Sequence, residues 1–203
     1  AVRRGAPVLE HLIGEIKSFG LPVIVAINRF PADSSAELAV VKERAEAAGA
    51  HSAVESRGFA EGGAGCVELA EALVDATDGD APEISYLYPA DASIEDKVKA
   101  LAQQVYNATD VDWDAPAKNQ LKKYEELGWG ALPVCMAKTH LSLSHNPRLK
   151  GVPKDYTFEV SDVRASIGAG FIYPIAGTMV TMPGLPGSPR TLDVDAEGNI
   201  LGL

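Results

Sequence analysis

The stretch that most constrains this chain is LPVIVAINRFPADSSAEL, residues 21–38. Residues 23–27 are apolar at every position, and a run without polar alternation is expected to be a strand buried on both faces, as in a parallel sheet. Gly20 and Pro22 stop the segment before it, where Val8, Leu9, Leu12, Ile13, Ile16 and Phe19 fall at helical spacing. After it, Ser34 and Glu37 form a capping-box pattern opening a helix that carries Leu38, Val41 and Ala45 and closes at Gly49. This succession begins a βαβ sheet, in which ligands bind beyond the carboxyl ends of the strands.

HSAVES is the expected second strand, RGFAEGGAG a glycine-rich loop before a helix around Leu69, Leu73 and Val74, and EISYLYP the expected third strand. Ser93 then caps the helix IEDKVKALAQQVYN. After Asn107 the pattern shifts. DWDAPAKNQLKKYEELGWG reads as one more helix, and LPVCMAK, YTFEVSDVRAS, GFIYPIAGTMVTM and TLDVDAEGNILGL as strand-forming runs separated by Pro and Gly. The expected class is α/β: a parallel-sheet βαβ unit over residues 1–115, followed by a smaller, mixed, sheet-rich α+β unit over 116–203, with the junction between 108 and 130.

Hydrophobic residues make up 46% of the 203 positions and charged residues 23%, enough to bury a core. No run approaches the ~18 apolar residues that span a bilayer, and Glu10, His11 and Glu15 break up the N-terminal stretch as a signal peptide, so a cytoplasmic protein is expected. The net charge of −10, without a cluster of Lys and Arg, argues against nucleic acid as a partner. Cys66 and Cys135 stand in no CxxC or Cys/His pattern and His11, His51, His140 and His145 in no paired metal-ligand spacing, so no zinc site, disulfide framework or catalytic histidine is expected.

Strand-to-NRFP resembles the base-recognition strand of P-loop NTPases, but the guanine-reading pattern N-K-x-D fails: Asn28 and Arg29 fit, Pro31 takes the acid's place, and Asp33 comes two residues late. No G-x-x-x-x-G-K-[ST] loop occurs in the chain. Phe30, just past the first strand and stiffened by Pro31, sits where a ring would lie over the ligand crevice, and Phe59 holds the equivalent place after the second. Two such rings can sandwich one planar ligand or simply pack over the sheet. Asn28 is either a turn residue or a group for the ligand's polar edge. Gly62 and Gly63 in EGGAG offer backbone N–H groups to an anion or a flexible loop, and Arg164, Gly168 and Gly170 in RASIGAGF fit a close backbone approach or a strand kink. DVDAEGNI imitates the opening of an EF-hand loop, yet a terminal hairpin turning at residues 197–199 is favoured because no flanking helix or twelfth-position Glu follows.

Taken in order, PVIVAINRFPADSSAEL, GFAEGGAGCVELA, GWGALPVCMAKTHLSLSHNPRLKG, FEVSDVRASIGAGFIYPIAGTMVTMPGLP and LDVDAEGNILGL closely resemble the C-terminal part of the formate–tetrahydrofolate ligases. The resemblance implies ATP-dependent joining of formate to tetrahydrofolate through formyl phosphate, giving 10-formyltetrahydrofolate. It also implies that the phosphate loop belongs to an N-terminal region outside these residues, so that this piece alone is expected to be inactive. ATP with Mg2+ would be bound by the complete enzyme, with a monovalent cation left open, and none of these by this chain alone. A homo-oligomer is the implied assembly. In that family a Phe after N-[KR] and a second aromatic, usually Trp, enclose the pterin. These places are Phe30 and Phe59 here, and Phe in place of Trp keeps the stacking face but loses the indole N–H. No catalytic residue and no metal ligand is carried over. A non-catalytic folate- or nucleotide-binding interaction module and a purely structural assembly piece are the alternatives.

Overall fold

The computed structural model describes residues 1–177 and 191–202. Helix α1, Val2–Ser18, turns Leu9 and Ile13 toward helix α2, Ser35–Ala47, and Arg44 Nε donates to Glu10 Oε1 at 2.5 Å across the pair. Strands β1, Ile24–Asn28, and β2, Ser52–Ser56, run parallel in a register that pairs Ile24 with Ser52 and Asn28 with Ser56. Helix α2 is the crossover between them. The capping box opens it as expected: Ser34 Oγ accepts the Glu37 N–H at 3.3 Å, and Glu37 Oε2 accepts the Ser34 N–H at 3.1 Å. Beyond β2 come a four-residue helix α3, Gly58–Glu61, a 3₁₀ turn, Gly62–Cys66, and helix α4, Val67–Thr77.

Val23, Ile27, Leu38, Ala45 and Ala53 are buried together with Ile13, so α1 and α2 cover one face of the β1–β2 pair. Helix α4 packs on the other face, chiefly over β2. The expectation that β1 is buried on both faces is therefore corrected among the described residues: Ala26 and Asn28 are exposed, because α4 packs chiefly over β2.

The expected third strand, EISYLYP, is likewise absent. The segment is a strap across the ends of two helices. Ser85 N–H donates to Phe19 O at 3.0 Å, and Leu87 O accepts from Gln104 Nε2 at 3.0 Å. Gly20 makes the crossing feasible: its φ is +80°, and a Cβ there would lie 2.6 Å from Glu83 O. The aromatic content that imitated a strand lines a cavity of 550 Å³ with Phe19, Leu101 and Val134.

The second core begins with helix α5, Ile94–Gln104, whose Ser93 cap accepts the Asp96 N–H at 3.1 Å. Strand β3, Asp110–Trp113, was hidden in what read as a helix; only α6, Ala115–Glu126, is helical there. Four further strands follow: β4, Ala137–Lys138; β5, Thr157–Val160; β6, Asp162–Ser166; and β7, Phe171–Ala176. β3 pairs parallel with β5, and the other three form a mixed sheet in the order β4-β7-β6. The part of GFIYPIAGTMVTM from 178 onward lies outside the described residues. Strands β8, Asp193–Val194, and β9, Ile200–Leu201, make the terminal hairpin, where Asp195 Oδ1 accepts the N–H groups of Glu197 and Asn199 and so accounts for the EF-hand likeness.

Ile94, Val98, Ala102, Leu121, Phe158, Val160 and Ile172 centre the second core. Lys97, with no accessible surface, is held there by Gly130 O at 3.1 Å and Leu132 O at 3.2 Å, and desolvation pulls its ammonium pKa down. His11 bonds Val105 O at 2.7 Å and so ties α1 to α5. No helix among the described residues is long and apolar enough to cross a membrane.

None of residues 78–93 is buried, whereas Ala108, Ala117, Leu121 and Tyr124, inside the 108–130 window, belong to the second core. Limited proteolysis is therefore expected to cut first at 78–86, as mapped by mass spectrometry, with 108–130 resistant. Burial also pushes the phenols of Tyr106 and Tyr156 up to about 12. An unfolded tyrosine ionises near 10, so the folded state holds more protons between about 10 and 12 and loses stability as pH rises through that window. Ultraviolet titration should show two of the six tyrosines ionising last, together with loss of near-ultraviolet circular dichroism.

Candidate functional site

The carboxyl ends of β1 and β2 stay in step for one residue past the strands, where Arg29 N–H donates to Ser56 O at 2.9 Å. The chain then turns at Phe30 and Pro31. Asp33, which failed as a base-reading acid, closes this turn: its Oδ2 accepts the Phe30 N–H at 2.8 Å, and its own N–H donates to Phe30 O at 3.0 Å. Phe30 is thus fixed by its backbone on both sides, with Pro31 limiting φ after it.

On the neighbouring loop, Gly65 lies so close to Arg57 that a Cβ would come within 2.7 Å of its carbonyl, and Arg57 N–H donates to Gly65 O at 2.9 Å. That close approach is the structural use of the EGGAG motif. Gly62 and Gly63 stand at its outer bend with open space around them. The folded loop lifts Phe59 on α3 toward Phe30. The two ring centroids are 5.5 Å apart with planes inclined at 50°, and the rings are 49% and 79% exposed.

A cavity of 310 Å³ beside them is lined by Arg29, Phe30, Pro31, Arg57, Ala60 and Glu61. Glu55 Oε2 is bonded by Arg29 at 2.8 Å and lies 3.8 Å from Arg57, which in turn is 3.7 Å from Glu61. The rim therefore presents two guanidiniums anchored by carboxylates, with N–H groups left for a ligand's polar atoms. Composition did not point to these charged residues; the Arg57–Glu61 spacing of four and the alternation of Glu55 with Arg57 were the available signals.

Asn28 is exposed at the end of β1 and makes no side-chain hydrogen bond among the described residues. Arg164, in strand β6, and Gly168 and Gly170, at the β6–β7 turn, are not among the residues lining the Phe30 cavity. Arg164 Nε donates to Asp162 Oδ2 at 3.0 Å, and Gly170 takes a left-handed φ of +78° that closes the turn. Among the described residues, no three His, Cys, Asp or Glu side chains gather as a metal site.

The chain is thus α/β, with a ring pair and anchored guanidiniums at the carboxyl ends of adjacent parallel strands, which is where such sheets generally take their ligands. The formate–tetrahydrofolate ligase family model matches residues 1–203, and the chain belongs to that family. It is 47% identical over 205 residues to formate–tetrahydrofolate ligase of Desulforamulus reducens and 50% identical over 204 to that of Roseiflexus sp. strain RS-1, in each case covering all of this chain and 36% of the relative. It is 46% identical over 204 residues to the mitochondrial C-1-tetrahydrofolate synthase of Saccharomyces cerevisiae, 21% of which is covered. The chain thus spans about a third of the length of the bacterial ligases it matches.

Proposed function

We propose that this chain is the folate-binding portion of an ATP-dependent ligase that joins formate to tetrahydrofolate, with Phe30 and Phe59 enclosing the pterin. The supporting observation is the meeting of the two rings beyond the β1 and β2 ends, each on a loop braced from below. Pro31 stiffens the first ring's support, and Asn28 reaches the ligand's polar edge. The reaction has formate take a phosphoryl group from ATP to give formyl phosphate and ADP; a folate amine then attacks the formyl carbon, phosphate leaves, and the amine gives up a proton.

This chain's residues act on the second half of that sequence. A ring held flat against Phe30 keeps its amine in one orientation for attack on the formyl carbon. The described residues do not fit a triphosphate with Mg2+, since they offer neither a phosphate-cradling loop nor a cluster of carboxylates. No phosphoryl-transfer step is assigned to them. ATP, Mg2+ and formyl phosphate are held by the longer polypeptide, which works in the cytoplasm as a homo-oligomer.

Two outcomes test this reading. In the full-length enzyme, Phe30→Ala and Phe59→Ala should each weaken tetrahydrofolate binding by at least about five-fold, from ~1 kcal/mol of stacking each, with the Kd for ATP unchanged by calorimetry. Unchanged folate affinity in both would reduce the rings to packing. The purified 203-residue chain should show no formate- and folate-dependent ADP release beside an active full-length control; measurable turnover would overturn the division of labour.

A further inference from the structure

We infer that Arg57 is a specificity-determining residue of the ring site: its guanidinium takes the carboxylate end of the ligand, and Glu61 is the rival for the same guanidinium. The inference rests on reading Phe30 and Phe59 as the pterin site and adds the far end of the same molecule. Tetrahydrofolate is a pterin joined through an aminobenzoyl group to a glutamate, so it brings carboxylates to the protein at the end remote from the ring.

The two arginines of the rim differ in how they are committed. Arg29 donates to Glu55 Oε2 at 2.8 Å with both side chains partly buried, so this donor is spent inside the protein. Arg57 stands 3.8 Å from the same carboxylate and 3.7 Å from Glu61, too far for a hydrogen bond to either. Two carboxylates thus hold the guanidinium in place by attraction while its N–H groups stay uncommitted among the described residues. The backbone beneath it is fixed. The Arg57 N–H donates to Gly65 O at 2.9 Å, and the Arg57 carbonyl accepts from the N–H groups of Ala60 at 3.0 Å and Glu61 at 2.9 Å. A planar fork with free donors on a rigid base suits a bidentate carboxylate.

Position selects the part of the ligand that Arg57 meets. Arg57 and Glu61 line the cavity beside Phe30, and both also line a second cavity of 310 Å³ with Lys42, Glu55, Gly65 and Glu68. The first is walled in part by Phe30 and Pro31, the second chiefly by charged side chains. A flat ring seated against Phe30 and a charged tail leaving it match this order of surfaces, and Arg57 stands where the two cavities meet. Lys42, paired loosely with Glu46 at 4.0 Å, is a further cation along the tail's course. The chain's net charge of −10 repels an anion at long range, so the tail has to be held by particular cations and not by the general field. Glu61 must release Arg57 before a ligand carboxylate can replace it. Because Glu61 ends α3, the exchange also loosens the helix that carries Phe59.

Steady-state kinetics of the full-length enzyme test this, with 6-methyltetrahydropterin as a competitive inhibitor that has the ring but no tail. Arg57→Gln should raise KM for tetrahydrofolate about ten-fold at unchanged kcat and leave the Ki of the pterin as it was. Arg57→Lys, which keeps the charge but not the fork, should fall between. Glu61→Gln removes the rival and should leave KM the same or lower it. A pair that only braced α3 would respond alike to both changes, so a rise in KM in Glu61→Gln would overturn the proposal. A weaker pterin Ki in Arg57→Gln would assign the residue to the ring's edge and overturn it as well. If Phe30→Ala weakens both folate and pterin while Arg57→Gln weakens neither, the assignment of Arg57 falls and the ring site stands. If Phe30→Ala weakens neither, the ring site falls and Arg57 with it.

Discussion

Everything at the candidate site depends on the register of β1 against β2. With Asn28 opposite Ser56, the two strands end together, and the first aromatic beyond each end is Phe30 or Phe59. The same register sorts the faces. Val25, Ile27 and Arg29 alternate onto one face with Ala53, Glu55 and Arg57 beside them, so the apolar floor against α2 passes directly into the Arg29–Glu55–Arg57 rim. A slip of one residue would send Glu55 to the face under α4 and separate the guanidiniums from their shared carboxylate. Register here is pinned by the buried Ile27 and Ala53, which links core packing to the geometry of the site.

Residues that act through their immediate neighbours were legible from the sequence. The Ser34–Glu37 box, the Ser93 cap, the stop at Gly20 and the terminal hairpin each rest on contacts within a few positions, and the structure shows each of them. Readings that needed distant partners were not. EISYLYP has strand composition, but its partners are the ends of α1 and α5, and aromatic content alone does not say whether a segment lines a cavity or joins a ladder. Strand β3 is only four residues long, and its exposed Asp110 and Asp112 masked a pairing with β5 that lies more than forty residues ahead. The sidedness of β1 failed for a related reason. A continuous apolar run does not say how many faces its neighbours cover, and among the described residues α1 and α2 cover one face of β1 while α4 packs chiefly over β2.

At the site, the sequence placed Phe30, Pro31 and Phe59 at the strand ends, and the structure sets the two rings in contact. Arg57, Glu55 and Glu61 gave only the weak signals of spacing and alternation, because exposed charges are common in a chain with 23% charged residues. What distinguishes them is cross-linking: one carboxylate between two guanidiniums keeps long side chains from wandering, which lowers the entropy lost when a ligand engages them. Glycines were a mixed guide. Gly65 is required by its approach to Arg57, while Gly168 and Gly170 shape a turn away from the cavity.

The spacing of the rings carries a consequence for how a ligand enters. A planar molecule between two aromatic faces needs about 3.5 Å to each, or roughly 7 Å from ring to ring, whereas Phe30 and Phe59 stand 5.5 Å apart and touch each other at a slant. Without a ligand the rings shield one another, which limits the apolar surface left in water. Phe30 is held by Asp33 and Pro31 and cannot give way easily. Phe59, the more exposed ring on a four-residue helix that ends at Gly62 with a φ of +59°, has the freer support, so in the proposed pterin site it is the ring that would give way.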